Sequence, residues 1–321
     1  MSYFTLNNIS KKYSETFELD KINLSIKAGE IVGLLGESGA GKSTLLRIAA
    51  GLIDADSGVV KIGGEKMPLA SDRLVPGYDN VKMVSQEFQL SAPLTVAENI
   101  AYALRYYKEA YRKERVSELI DLCHLENVAH QPVKFISGGE KQRTAIAKAL
   151  AEEAKVLLLD EPFAHLDLIN KRRLAEAITN VVKKLKIACI FVTHDAIDAL
   201  RISHQVGILK GGKLIQIATP QQVYYEPVNI YVAQMTGEVS FLSKTFFEKH
   251  FAEKPAHQIE EKIYMLRPEQ LKIVADGGIT MEVKRVFFEG NHYKFFLKKD
   301  QYTLLVYHAN KLPVGSIVGI E

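Results

Sequence analysis

Apolar runs of strand length alternate with stretches of helical periodicity through the first 237 residues of the chain. Three of these runs are predicted to be buried strands, namely Ile31–Leu35, Val156–Leu159 and Ala188–Val192. Short apolar runs bounded by polar residues are typical of strands that are covered on both faces. Their alternation with helices favours an α/β fold built around a mainly parallel sheet.

A polar group of residues follows each of the three predicted strands directly. The first strand runs into a glycine-rich loop, the second into Asp160 and Glu161, and the third into Thr193, His194 and Asp195. In open α/β sheets, ligands bind at the carboxyl ends of the strands. We therefore expect the three strand ends to share one site.

The last 84 residues differ in composition, because they hold 12 of the 28 aromatic residues. Short β-favouring runs predict strands at Glu282–Phe288, Tyr293–Leu297 and Tyr302–Tyr307, with turn residues between them. We therefore expect two domains, residues 1–237 and residues 238–321, of which the second is small and all-β.

Composition excludes several classes of protein. The 41 Lys and Arg residues against 38 Asp and Glu give a net charge of +3, without the basic field of a typical nucleic-acid-binding protein. Two cysteines are too few for a disulfide framework and fit buried thiols in a reduced compartment. No apolar run reaches the roughly 18 residues of a membrane span. The first ten residues lack the basic and apolar regions of a signal peptide, so we expect no export.

Residues 36–43 match the phosphate-binding pattern G-x-x-x-x-G-K-[S/T] in full, between a predicted strand and the helical run Thr44–Ala50. In such a loop, backbone N–H groups and a helix N-terminus converge on phosphate oxygens. We expect Lys42 to reach the β- and γ-phosphates and Ser43 to bind Mg²⁺. A plain glycine turn is the alternative, but chance gives this pattern in about one such chain in a hundred. The predicted nucleotide-binding residues are Gly36, Glu37, Ser38, Gly39, Ala40, Gly41, Lys42, Ser43 and Thr44.

Asp160 and Glu161 supply the acidic groups that a nucleotide site needs. We expect Asp160 to hold Mg²⁺ and Glu161 to polarise the attacking water. A helix N-cap with a solvated neighbour is the alternative, but the apolar run before the pair and Pro162 after it favour a site. Asn170 and Lys171 are not followed by the aspartate of a guanine-reading motif, so guanine selectivity is unsupported.

A second anion site is indicated at residues 136–143, Ile-Ser-Gly-Gly-Glu-Lys-Gln-Arg. Ser137 and Glu140 have the spacing of a capping box, and Ile146 and Leu150 give the helix that follows an apolar stripe. A well-capped helix would explain this much. Glycines in its first turn, however, leave N–H groups open to an anion, and a second phosphate site suggests a nucleotide held between two chains.

Here the sequence resembles the ATP-binding cassette family, whose signature Leu-Ser-Gly-Gly-Gln is matched by Ile136–Glu140 except for Ile in place of Leu and Glu in place of Gln. The order of the motifs along the chain is similar too. The resemblance implies a P-loop ATPase core with a helical subdomain and a head-to-tail dimer, formed with a second copy or a related cassette. Each ATP would lie between the phosphate loop of one subunit and the signature residues of the other, Ser137, Gly138, Gly139 and Glu140.

The same resemblance implies roles for single residues. Tyr13 would stack on adenine, and Gln86 would contact Mg²⁺ and the attacking water. Glu161 would be the catalytic base, His194 would hold the γ-phosphate, and Asp167 would cross the dimer interface. Taken alone each is a weak indication, because such residues are more often structural, but the motif order supports them together.

The stretch before the signature is mostly helical, with a second capping-box pattern at Thr95 and Glu98. In the family, this helical subdomain docks the transmembrane permease. Phe88, Leu90 and Tyr102 are candidate contacts with that partner, and they are equally good candidates for the core.

Residues 218–237 and Leu266–Glu269 resemble segments of cassette subunits from importers of polyamines, ferric iron, sulfate and sugars. The latter segment is similar to a motif of their OB-like C-terminal domain, called TOBE. Such a barrel can bind nucleic acid through residues such as Arg285, Phe287 and Phe288. A tail with 12 Lys and Arg against 11 Asp and Glu argues against this, and we expect the aromatic residues to fill the β core and the dimer contact.

The resemblance thus implies an ATP-binding and ATP-hydrolysing subunit of an import system that uses ATP and Mg²⁺. Its partners would be transmembrane permease subunits and an extracytoplasmic substrate-binding protein, and no nucleic acid is expected. It would lie peripherally on the cytoplasmic face of the inner membrane. Two alternatives stay open: a soluble cassette ATPase that acts on nucleic acid or ribosomes, and a regulatory protein that binds ATP with little hydrolysis. The transported substrate is not encoded in these motifs.

Overall fold

The structure is a computed structural model, and it describes residues 3–14, 17–85, 89–254, 256–274 and 277–321. The chain divides into two compact units, residues 1–220 and residues 221–321. The domain division at residue 237, which followed from composition, stays a prediction.

The first unit contains both sheet and helix. Its strands are β1 (Phe4–Ser14), β2 (Phe17–Ile26), β3 (Ile31–Gly36), β4 (Ser57–Ile62), β5 (Glu65–Lys66), β6 (Val81–Val84), β7 (Val156–Asp160), β8 (Ala188–Thr193), β9 (Gln205–Lys210) and β10 (Lys213–Ala218). Its helices are α1 (Lys42–Ala49), α2 (Val96–Ala103), α3 (Glu109–Leu122), α4 (Gly138–Ala149), α5 (Leu168–Leu185) and α6 (Ala196–Ile202).

The three predicted buried strands are confirmed as β3, β7 and β8, and they are neighbours in one sheet. That sheet has the order β10-β9-β3-β8-β7-β6, and all its pairs are parallel except β10 with β9. A smaller antiparallel sheet has the order β2-β1-β4-β5. Because β3, β8 and β7 are parallel neighbours, their carboxyl ends meet at one edge, and the predicted α/β fold is confirmed.

Strand β7 shows why the parallel strands are apolar throughout. Val156 and Leu158 face a core shared with α1 and the smaller sheet, whereas Leu157 and Leu159 face a core shared with α2, α3, α4 and α5. A strand covered on both faces has no solvent side on which polar residues would alternate. Each of these fully buried side chains contributes about 1.5–3 kcal/mol relative to exposure.

The second unit is β-rich, as its sequence predicts. Its strands are β11 (Ser240–Ser243), β12 (His257–Glu260), β13 (Ile263–Leu266), β14 (Ile273–Val274), β15 (Ile279–Phe288), β16 (Tyr293–Lys299), β17 (Tyr302–His308) and β18 (Ile317–Ile320). Its sheets are antiparallel, with the orders β11-β13-β12 and β14-β18-β15-β16-β17. The helices from residue 220 onward are α7 (Pro220–Tyr225), α8 (Ile230–Thr236) and α9 (Lys244–His250). Across both units, no helix of the described residues is long and apolar enough to cross a membrane.

Helix α9 is an addition to the expected all-β tail. Ser243 begins it by accepting a hydrogen bond at its hydroxyl from the Phe246 N–H, over 3.3 Å. The helix places Phe246 and Phe247 in the same core as the five-stranded sheet.

Phe287 and Phe288 do not fill the core, because their exposed fractions are 48% and 65%. Both lie at the last positions of β15, beside the turn to β16 and beyond the core positions Met281 and Val283 of the same strand. Phe295, on β16, is fully buried as expected. The other part of the expectation, that tail aromatics form a dimer contact, stays a prediction.

Arg267 is the most buried charged residue among those that the structure describes in the second unit. Its guanidinium donates to the carbonyl oxygens of Tyr224 (2.6 and 3.0 Å), Ala233 (3.0 Å) and Glu238 (3.0 Å), and to the Thr236 hydroxyl (2.9 Å). It also lies over the Tyr224 ring at 4.0 Å from the centroid. Burial lowers the pKa of Arg267. Residues 224–238 thus supply the acceptors of a side chain that belongs to the tail.

Candidate active site

The phosphate loop joins β3 to α1, and glycine makes its path possible. Gly41, the N-cap of α1, has φ of 99°, in the left-handed region that favours glycine. A Cβ on Gly36 would lie 2.6 Å from the carbonyl oxygen of Leu209 in β9. Within the described residues no side chain caps α1, so its first N–H groups are open to an anion. The loop borders a cavity of about 460 Å³, lined by Ser38, Gly39, Gly41, Lys42, Ser43, Thr44 and Glu161.

Lys42 is held over this loop by backbone oxygens. Its Nζ donates to the carbonyls of Gly36 (2.7 Å) and Glu37 (2.9 Å), and the residue is buried. Burial lowers the pKa of Lys42, while the charges of Glu161 and Asp160 act in the opposite direction. The ammonium therefore lies where it can pair with the phosphate oxygens of a bound nucleotide.

Ser43 and Asp160 meet across the edge of the sheet. The Ser43 Oγ donates to the Asp160 Oδ1 over 3.0 Å. Burial raises the pKa of Asp160 and outweighs the hydrogen bond from Ser43, which lowers it. A hydroxyl and a carboxylate at this separation suit Mg²⁺, which prefers oxygen ligands and takes its remaining ones from phosphates and water.

Glu161 and His194 face each other after adjacent parallel strands. The Glu161 Oε2 lies 3.2 Å from the His194 Nδ1. Asp160 pairs with Val192 in the β7–β8 ladder, and the Glu161 N–H donates to the Val192 carbonyl over 3.2 Å. This pairing brings a carboxylate and an imidazole side by side, and the carboxylate also lines the phosphate-loop cavity.

The turn from Glu161 to Asp167 has an unusual backbone. Glu161 and His165 have φ of 47° and 61°, in the left-handed region that non-glycine residues rarely adopt. Asp167 ends the turn as the N-cap of α5. Its carboxylate accepts hydrogen bonds from the N–H and the side-chain amide of Asn170, both over 2.8 Å. Strand β7 and helix α5 therefore fix the two ends of the turn.

The signature segment begins α4 with the predicted capping box. The Ser137 Oγ accepts from the Glu140 N–H (3.4 Å), and the Glu140 Oε2 accepts from the Ser137 N–H (2.8 Å) and Oγ (2.7 Å). Although burial raises it, the hydrogen bonds from Ser137 hold the pKa of Glu140 below its usual value. A Cβ on Gly139 would lie 2.8 Å from the Asn170 side chain, so glycine allows α4 to approach α5 this closely.

A second cavity, of about 330 Å³, lies beside Glu161 and His194. In its wall the Lys171 Nζ donates to the carboxylates of Asp195 and Asp198, both over 2.7 Å. The sequence pattern indicates His194 and Asp195 but not Lys171 or Asp198, because groups more than 20 residues apart leave no local spacing. The one available signal is the three-residue separation of two acids at the start of α6.

Apart from Asp167, which caps α5 and lines neither cavity, the predicted site residues fall into three groups. The phosphate loop, Asp160, Glu161 and His194 are brought together at one edge of the sheet. Residues 137–140 line neither of the two cavities. The Tyr13 side chain and the whole of Gln86 lie outside the described residues, so their roles stay predictions.

This geometry defines the class, an ATPase of the ATP-binding cassette type. The family described as ABC transporter matches residues 19–164 of the chain. The spermidine/putrescine import ATP-binding protein PotA of Desulfitobacterium hafniense is 36% identical over 98% of this chain and 94% of that protein. The sulfate/thiosulfate import ATP-binding protein CysA of Mesostigma viride is 34% identical over 95% of this chain and 90% of that protein.

Solved structures are similar to the cassette part of the chain. One is cbiO1 from Clostridium perfringens, part of the ABC transporter complex cbiONQ, with a TM-score of 0.64 and 27% identity over 70% of this chain and 92% of that one. Another is the ATP-binding cassette MJ0796, a dimer in a post-hydrolysis state with ADP and Pi, with a TM-score of 0.57 and 30% identity over 68% of this chain and 98% of that one. The chain belongs to the ABC transporter family, among the ATP-binding subunits of importers.

Proposed function

We propose that this chain drives solute uptake as the ATP-hydrolysing subunit of an import system, bound to permease subunits at the cytoplasmic face of the membrane. The observation that carries the proposal is the meeting of the phosphate loop, Asp160, Glu161 and His194 at one sheet edge. The relatives are named for import of spermidine and putrescine, which are cations, and of sulfate and thiosulfate, which are anions. The transport assay below therefore offers both cationic and anionic substrates.

Binding of the nucleotide uses the phosphate loop. The Lys42 ammonium pairs with the β- and γ-phosphates, and the open N–H groups of α1 receive phosphate oxygens. Mg²⁺ fits the Ser43 hydroxyl and the Asp160 carboxylate, which already lie 3.0 Å apart. When bound, the ion neutralises phosphate charge.

Hydrolysis depends on Glu161 and His194. The Glu161 carboxylate lines the phosphate cavity and accepts a proton from the attacking water. Because the His194 Nδ1 faces that carboxylate, Nε2 is the ring nitrogen left for the γ-phosphate.

The signature residues complete the site of a second cassette. Ser137 caps α4 by accepting a hydrogen bond from the Glu140 N–H, and Gly138 and Gly139 have no side chains that could cover the other N–H groups of the first turn. Since residues 137–140 line neither of the two cavities that Glu161 lines, we infer that they face the nucleotide of a head-to-tail partner, a second copy or a related cassette.

A surface groove beside β6 is our candidate site for permease docking. Two cavities of about 240 Å³ and 540 Å³ share Lys82 and Glu152 in their walls. The larger one is also lined by Tyr107 and Tyr111, whose rings stack at 5.4 Å. An open groove lined by aromatic and charged side chains is suited to bind a helical segment of a membrane protein.

Helix α2 and the residues that follow it expose further aromatic side chains. Tyr102 is 56% exposed and Tyr106 is 85% exposed, so neither belongs to the core. Leu90 packs against the core that contains α2, α3, α4 and α5, and it is only partly buried. Phe88 lies outside the described residues. The exposed tyrosines therefore support the docking interpretation better than Leu90 does.

The test is reconstituted transport. The chain is purified with the permease encoded beside it and sealed in proteoliposomes with ATP inside, and the substrate-binding protein is supplied outside. Uptake of labelled spermidine, putrescine, sulfate or thiosulfate that stops with Glu161→Gln supports the proposal.

The rival function has its own readout. If RNA or ribosomes stimulate ATP turnover in a salt-sensitive manner, and the permease neither binds the chain nor alters turnover, the soluble cassette ATPase replaces the transporter subunit.

A further inference from the structure

We propose that Lys171 is a positioning residue for ATP hydrolysis, whose ammonium holds the turn that carries Glu161 against the loop that carries His194. This inference rests on the proposed roles of Glu161 and His194. It concerns a side chain that does not line the phosphate-loop cavity.

Lys171 ties together the starts of two helices. It lies in the first turn of α5, where its N–H donates to the carbonyl of the N-cap Asp167 over 2.9 Å. Its Nζ donates to Asp195 and Asp198 over 2.7 Å each. Asp195 is the N-cap of α6 and directly follows His194. One ammonium therefore links the end of the Glu161 turn to the residue after His194.

The charges make this link hard to replace. The Asp198 side chain is 4% exposed, and that of Asp195 is 33% exposed. Burial raises the pKa of Asp198, and it lowers that of Lys171, but the hydrogen bonds to both aspartates bring the pKa of Lys171 above its usual value. Without the ammonium, two neighbouring carboxylates, one of them buried, would be left without their shared cation and would repel each other.

The turn needs such a restraint because of its backbone. Glu161 and His165 both have left-handed φ, a conformation that persists only where the surroundings impose it. At one end the turn is fixed by β7, and at the other by α5 and the Lys171 link. Lys171, Glu161 and His194 line the same cavity, so a shift of α5 relative to α6 alters the 3.2 Å approach of Glu161 to His194.

The first experiment compares Lys171→Met with Lys171→Arg in steady-state ATP hydrolysis by the full chain. We expect Lys171→Met to lower kcat about tenfold with KM and the Kd for ATP within about threefold of wild type, because the base is misplaced while the phosphate loop is intact. Lys171→Arg keeps the charge, and we expect it to retain kcat within about threefold. Lys184→Met, an exposed lysine near the end of α5, is the control.

The second experiment separates positioning from stability. Lys171→Met leaves the buried Asp198 carboxylate without its cation and should therefore lower the Tm. In the double variant Lys171→Met with Asp198→Asn this buried carboxylate is neutral, so we expect the Tm to return toward the wild-type value while kcat stays low. Recovery of kcat together with Tm would overturn the proposal, as would a kcat for Lys171→Met within about twofold of wild type.

A third variant covers the case in which Lys171→Met does not fold. Asp195→Asn weakens the same link at its more exposed aspartate, and a wild-type kcat there would equally overturn the proposal. Failure of the underlying function is seen separately: full turnover in Glu161→Gln removes Glu161 as the base, whatever Lys171 variants do.

Discussion

Asn170 occupies the space that a side chain at position 139 would need: a Cβ built on Gly139 would lie 2.8 Å from the Asn170 Cγ and Oδ1. Asn170 cannot move away easily, because its amide donates to the Asp167 carboxylate over 2.8 Å. The signature helix α4 therefore packs directly against the start of α5, where the turn that ends at Asp167 is held by Asn170. Two motifs that are far apart in sequence thus contact each other at Gly139 and Asn170.

This contact predicts different effects of alanine at two adjacent glycines. Gly139→Ala forces Asn170 to shift, and we expect it to destabilise the fold by about 1–3 kcal/mol in urea unfolding. Gly138→Ala is the matched control, since its Cβ would come no closer than 4.0 Å to Leu166 and alanine favours the helix by up to about 1 kcal/mol. Equal unfolding free energies for the two variants would contradict the packing described here.

Lys42→Ala should abolish nucleotide binding. It removes the ammonium that Gly36 and Glu37 hold over the phosphate loop, and with it the charge that pairs with the phosphates. Equilibrium titration with a fluorescent ATP analogue measures the loss. Lys61→Ala, on β4, serves as the control. Wild-type affinity in Lys42→Ala would refute the assignment of the phosphate loop.

Glu161→Gln should stop turnover while ATP still binds. Glutamine preserves the shape of the side chain but cannot accept a proton, so we expect kcat to fall at least about a hundredfold. The variant should then accumulate as an ATP-bound dimer, which size-exclusion chromatography with light scattering detects. Unchanged hydrolysis would remove Glu161 from the role of base.

Asp160→Asn should stabilise the free protein at neutral pH. Because burial raises the pKa of Asp160 above its ordinary 3.8, the folded state keeps this proton to a higher pH than the unfolded state. The wild-type free energy of unfolding therefore falls as the pH rises through the folded pKa, and the asparagine variant avoids this loss. Thermal unfolding without nucleotide should show a higher Tm for the variant at about pH 7 and a shrinking difference toward about pH 4. A constant difference across this range would contradict the assigned direction of the pKa shift.

Local patterns carried most of what the sequence predicted. The buried strands and both capping boxes depend on residues within a few positions of each other, so the sequence alone predicts them. The shared strand edge followed from the parallel order of the sheet. Lys171 with Asp198, and Gly139 with Asn170, could not be foreseen, because each pair is joined only by the packing of separate helices.

Arg267 has a consequence for how the tail can be inherited. Its buried guanidinium takes its acceptors from Tyr224, Ala233, Thr236 and Glu238. A recombination event or an engineered chimera that joins at residue 238 would replace Tyr224, Ala233 and Thr236 with a foreign segment, which would then have to supply new acceptors for Arg267. A junction at residue 221 carries the arginine and its acceptors together, so evolutionary exchange of this tail among importers should favour the earlier crossover point.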